Sequence, residues 1–124
     1  MQTFFKNLDS QAMIPKQIKI YGTTYESGKV LVIKKVEYGK LTVGLIKAIS
    51  YFKHEVKFAV KTFEAHQSKY GQYVTTKFLK SHEIVDYREL ADYYPLEMIG
   101  TCDSFSFVLH HFVSQGHQQP DTPS

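Results

Sequence analysis

The segment Val56-Lys57-Phe58-Ala59-Val60-Lys61-Thr62-Phe63-Glu64 places Val56, Phe58 and Val60 on one side of an extended chain and Lys57 and Lys61 on the other. Successive side chains of a strand point to opposite faces, so this period of two reads as a half-buried antiparallel strand. Related signals recur before and after it. Ile18 and Ile20 alternate with Lys19 and Tyr21 ahead of Gly22, and Lys29 to Val36 is a β-branched run expected to be buried on both faces. Tyr38-Gly39-Lys40 reads as a hairpin turn into a strand from Leu41 to Ile49, where Gly44 is expected to mark a bulge or bend. A polar loop, His66 to Gly71, leads to a short strand from Gln72 to Thr76, and the last strands are expected at Leu96 to Ile99 and Phe105 to His110.

One helix stands out. Asp86 and Glu89 have the spacing of a capping box and Leu90-Ala91 supplies an apolar edge, while Pro95 biases Tyr94 out of helical geometry. The expected fold is therefore mainly β, a small antiparallel barrel or curled sheet with one short helix near residues 86–94. Residues 1–16 read as a flexible lead-in, 17–113 as a single β domain and 114–124 as a disordered tail. A chain of 124 residues supports one hydrophobic core and excludes a multidomain enzyme.

The net charge of +3 conceals a split. Residues 1–80 carry 14 Lys against five acids, a balance of +9, and residues 81–124 carry one Arg against seven acids, a balance of −6. Such a division implies either a basic face for an acidic partner or two halves that neutralise each other across the fold. The single cysteine, Cys102, cannot form an internal disulfide, and the N-terminal residues lack the apolar run of a secretion signal. An intracellular protein, nuclear or cytoplasmic and not bound to a membrane, is the expectation.

Catalytic patterns are missing. There is no phosphate-cradling glycine loop, no G-x-S-x-G elbow and no H-E-x-x-H helix. His110 and His111 are adjacent and would point to opposite faces of a strand, while His66, His82 and Cys102 lack metal-ligand spacing. No catalytic residue, metal or cofactor is expected. The candidate binding residues are aromatic and lysine side chains around two loops: Tyr51, Phe52, Lys53, Lys57, Lys61, Tyr70 and Tyr73. Rings interleaved with cations can stack bases and hold phosphates, or cage a methylated lysine, and they can equally be core rings with solvated lysines outside. With Arg88 as the only arginine, bidentate reading of DNA bases has little support.

Four segments carry a resemblance: Ser27-Gly28-Lys29-Val30-Leu31-Val32-Ile33, Gly44-Leu45-Ile46, Phe58 to Phe63, and Tyr87-Arg88-Glu89-Leu90-Ala91-Asp92-Tyr93-Tyr94-Pro95-Leu96. Over residues 18–113 the chain resembles the C-terminal β domain of uncharacterised, transposon-associated proteins of fish and invertebrates. The order of its glycines, strands and helix is also similar, at fold level, to bromo-adjacent homology domains. The first resemblance implies a terminal module of a longer protein and transfers no activity to any residue. The second implies a chromatin-reading interaction module. The expected function is a non-catalytic interaction module that binds a protein partner, the alternative being weak, sequence-independent binding of nucleic acid through the lysine and aromatic face. Oligomeric state is not legible.

Overall fold

A computed structural model of the chain describes residues 15–109. The lead-in before Pro15, the expected tail, and the His110–His111 pair lie outside the described residues. The described residues are mainly β. Strands β1 (Gln17–Ile20) and β2 (Thr23–Glu26) form a separate hairpin. A second sheet of seven antiparallel strands follows: β3 (Val30–Glu37), β4 (Lys40–Phe52), β5 (Glu55–Gln67), β6 (Tyr73–Asp86), β7 (Asp92–Leu96), β8 (Ile99–Gly100) and β9 (Phe105–Phe107), in the spatial order β7-β3-β4-β5-β6-β9-β8. The sheet curls strongly into a half-barrel.

The curl explains where the two cores sit. One cluster joins Val30, Val43, Leu45 and Phe63 to Leu96 on β7 and to Phe105 and Phe107 on β9, strands from opposite ends of the order. Only a curled sheet lets such strands share a core, so this cluster fills the concave side. Leu31, Ile46, Ile49, Val56, Phe58, Val60 and Val85 form the second cluster on the convex side, where Tyr25 of β2 and Leu90 cover them. A fully buried aliphatic or phenyl side chain contributes roughly 1.5–3 kcal/mol, so each cluster is a substantial source of stability.

A bulge in β4 resets which of its residues face each cluster. Ile46 pairs with Val60 and Ala48 with Ala59, leaving Lys47 as an extra residue. Leu41, Val43 and Leu45 face the concave side and Ile46, by alternation, the convex one; the inserted residue then puts Ile49, rather than Ala48, on the convex side with it. The irregularity expected at Gly44 thus occurs at Lys47. Gly44 is needed for space: a Cβ there would meet Val60 Cβ at 2.8 Å and Ile33 Cδ1 at 2.9 Å.

The hairpin is fastened by Tyr25, which is completely buried. Its ring lies 5.5 Å from Phe58 and meets Tyr87 edge-on at 5.9 Å, and its hydroxyl donates to the Tyr93 carbonyl. Burial, followed by neighbouring Tyr87, pushes the Tyr25 hydroxyl well above the usual tyrosine range.

The expected helix near 86–94 is reduced to one 3-10 turn at Tyr87–Glu89. Its capping box forms as the spacing implied, with Asp86 Oδ1 accepting from Arg88 N at 2.9 Å and Glu89 Oε1 accepting from Asp86 N at 3.1 Å. Helix propagation stops because β3 captures the chain. Ala91 N donates to Val32 O at 3.0 Å, and Asp92 and Leu96 then pair with Val32 and Val30. Pro95 therefore lies in an outer strand of the sheet, where a missing N–H is tolerated. The expected strand at 72–76 extends to fourteen residues, and the final strands are shorter than expected.

Candidate functional site

The candidate binding residues occupy three separate places. Tyr51, Phe52 and Lys53 surround the β4–β5 turn, whose central residues Lys53 and His54 have φ of 53° and 66°. Two residues in the left-handed region make the tight hairpin turn that suits strand twist, a conformation usually given to Asn-Gly. Tyr51 Oη lies 3.3 Å from His54 Nδ1, and Lys53 Nζ sits 5.2 Å from the centre of the Phe52 ring. Together with Ile18, Ile20, Tyr21 and Val56, Tyr51 and His54 line a shallow cleft of about 540 Å³ beside the β1–β2 hairpin.

Tyr70 and Tyr73 lie at the other end. β5 separates the two loops by thirteen residues, roughly 40 Å of extended chain. Tyr70 is 82% exposed with Lys69 Nζ 5.4 Å from its ring centre, a cation–π arrangement on an open loop. Tyr73 belongs to the concave core, stacked on Phe107 with ring centres 5.5 Å apart. Burial, followed by Tyr38, pushes its hydroxyl above the usual range. The rings expected to act together around two loops are thus distributed over a turn, a loop tip and the core.

Lys57 and Lys61 share the concave face of β5 and meet acids of the second half. Lys57 donates to Asp86 Oδ2 at 3.2 Å, and Lys61 donates to Asp103 Oδ1 at 2.5 Å while lying 5.6 Å and 5.3 Å from the ring centres of Phe63 and Phe78. Lys29 pairs with Glu97 in the same sense. Of the two outcomes implied by the charge split, neutralisation across the fold accounts for these three lysines.

Asp86 organises the largest of these groups. Arg88 Nε donates to its Oδ1 and Nη2 to its Oδ2, both at 3.0 Å, and Glu55 lies 3.7 Å from the same guanidinium. The Arg88 hydrogen bonds, aided by Lys57, hold the Asp86 carboxyl far below the usual carboxylate range. On the convex face, Glu64 lies 2.8 Å from His66 Nε2 and 3.3 Å from Lys40 Nζ, and His66 followed by Lys40 lowers its pKa. These carboxylates are occupied structural acceptors, and no group of three His, Cys, Asp or Glu side chains suited to a metal occurs among the described residues.

Among the described residues β6 is the long strand whose outer edge is mostly uncovered. Its inner edge pairs with β5 from Gln67↔Tyr73 to Lys57↔Asp86. On its outer edge β9 meets only Tyr73 and Val74, with Thr75 Oγ1 linked to the Phe105 backbone. From Thr76 to Asp86 no strand pairs with the outer edge among the described residues. Residues 76–82 are exposed, and Phe78, Leu79 and Ile84 are 50%, 39% and 41% accessible. Sequence reasoning ended this strand at Thr76 because three register shifts against β5 destroy its alternation. The signal that remained was a stretch from Tyr73 to Val85 free of Gly and Pro, with scattered apolar and β-branched residues.

No protein-family model, curated protein or solved structure matches this chain. No helix among the described residues is long and apolar enough to cross a membrane.

Proposed function

We propose that the chain is a non-catalytic protein-interaction module whose recognition element is the outer edge of β6. The observation that carries this reading is the eleven-residue stretch from Thr76 to Asp86, extended and paired among the described residues with a strand on its β5 side alone, with exposed Phe78, Leu79 and Ile84. A free edge offers backbone donors and acceptors to an added strand, and side chains on either face select which strand is accepted. The lysines of the concave face are a poorer surface for a partner, since Lys57 and Lys61 already hold Asp86 and Asp103. An exposed, unpaired Cys102 is compatible with work in the nucleus or cytoplasm.

Selection of extended peptides from a displayed library tests the proposal. Binders should lose affinity for Phe78→Asp and keep it for Tyr21→Ser, which alters the distant hairpin. Binders that ignore the β6 change and respond to Lys57→Glu with Lys61→Glu would move the site to the concave face. A steep salt dependence with single-stranded oligonucleotides, together with no selected peptide, would favour the nucleic-acid alternative.

A further inference from the structure

The two faces beside the open edge differ in chemistry, and the difference specifies a partner. Lys77 pairs with Glu64 and Lys80 with Thr62, residues whose side chains lie on the convex face with Thr42 and Gly44. Neither lysine has an ion pair among the described residues, and the nearby Glu64 is already engaged by Lys40 and His66. Phe78 pairs with Phe63 and Ile84 with Ala59, on the concave face. Phe78 rests on Phe63 with ring centres 5.6 Å apart, leaving half of its surface open.

We infer that the β6 edge accepts an extended peptide segment in which acidic residues alternate with apolar ones. The inference rests on the edge-recognition reading above. An added strand has a side-chain period of two, so one set of its residues falls beside Lys77 and Lys80 and the other beside Phe78 and Ile84. Acidic residues match the first set and aliphatic residues the second. Glu83 stands on the lysine face towards the end of the edge, so the acids belong opposite residues 77–80.

The same features disfavour a second copy of the chain paired across the lysine segment. Two copies paired antiparallel about a two-fold axis normal to the sheet keep equivalent faces on the same side, so an axis placed within residues 77–80 would set the Lys77 and Lys80 of each copy against those of the other. Three bulges in the β6 register, with lysines beside them, are also the devices by which edges avoid indiscriminate pairing. An edge so equipped rejects flat apolar strands and retains affinity for one that brings opposite charge.

The test uses the full chain and dye-labelled peptides long enough to span Thr76 to Asp86. One alternates Glu with Val, one alternates Thr with Val, one alternates Lys with Val, and one carries the Glu and Val residues in two separate blocks. Fluorescence anisotropy reads binding, and hydrogen exchange reads protection of the β6 amides. The Glu–Val peptide should bind saturably, protect amides within 76–86, and lose about fivefold or more in affinity with Lys77→Glu and Lys80→Glu, a double variant that keeps the circular-dichroism spectrum. The Lys–Val and block peptides should bind much more weakly.

Equal binding of the Thr–Val and Glu–Val peptides, with the same amides protected, would overturn the acidic pattern while leaving edge recognition standing. Equal binding of the block peptide and an oligonucleotide, without amide protection, would show a general polyanion surface and overturn the inference. Concentration-dependent protection of the edge by the chain alone would assign it to a second copy, also overturning it. If no extended peptide protects the edge, the edge-recognition reading fails together with it.

Discussion

β4 and β6 flank the same strand, β5, and have thirteen and fourteen residues, yet they differ almost completely in burial. β4 contributes Leu41, Val43 and Leu45 to the concave core and Ile46 and Ile49 to the convex one. β6 contributes Tyr73 and Val85 from near its ends and leaves Thr76 to His82 in solvent. The ladder to β5 maintains both strands, but β4 is also fixed by side-chain packing along most of its length, whereas β6 is packed only near its ends. A long strand so little buried adds modestly to the core, and under the proposed function its outer edge, which no strand among the described residues covers from Thr76 to Asp86, is where a partner would add.

Truncation should separate the two strands most sharply. Ile46→Ala removes a fully buried side chain from β4 and should cost about 2–5 kcal/mol in urea denaturation, against about 0.5 kcal/mol or less for Leu79→Ala in the exposed stretch of β6. Similar losses at both sites would show that β6 is more deeply packed than its accessibility indicates. Next in size is Gly44→Ala. The added methyl collides with Val60 and Ile33, and thermal unfolding should reveal a loss of about 1–3 kcal/mol.

Asp86 ends β6 and links it to β5 through Lys57, so it tests how the open strand is anchored. Asp86→Asn should lose about 1–2 kcal/mol at neutral pH, as the charge-assisted hydrogen bonds from Arg88 and Lys57 weaken. The sign of the pH effect follows from the lowered native pKa. The contribution of Asp86 is fully present above the ordinary carboxylate pKa of about 4 and is lost as pH falls towards the native value. A plot of unfolding free energy against pH should therefore have a shallower acid limb in Asp86→Asn than in the parent chain. The smallest effect concerns the turn that joins β4 to β5. His54→Gly replaces a side chain at φ of 66° and should change stability by about 1 kcal/mol or less, in the stabilising direction, measured by denaturant midpoint.

Much of this contrast is traceable to particular residues, although not all of it could be read in advance. Val56, Phe58 and Val60 occupy the convex cluster as their alternation implied, and Lys57 and Lys61 project from the opposite face. The division of charge proved to include ion pairs between the two halves, at Lys29–Glu97, Lys57–Asp86 and Lys61–Asp103. β6 was legible only as far as Thr76, because bulges shift the parity that sequence patterns rely on. The helix beyond Glu89 failed for a different reason. Its cap is a local device, whereas pairing of Asp92 and Leu96 with β3 is a contact between segments some sixty residues apart.

The sequence by itself determined the mainly β class, the face assignments of β5, the capping box and the uneven charge, because each depends on neighbours along the chain. Only the tertiary structure decided which lysines are neutralised, that Tyr73 is core while Tyr70 is open, and that no strand among the described residues covers most of the outer edge of β6. Those outcomes depend on how far a curled sheet brings its ends together, and on the order of strands across it. Both are set by distant pairing and bulges, which leave no regular period in the residues that produce them.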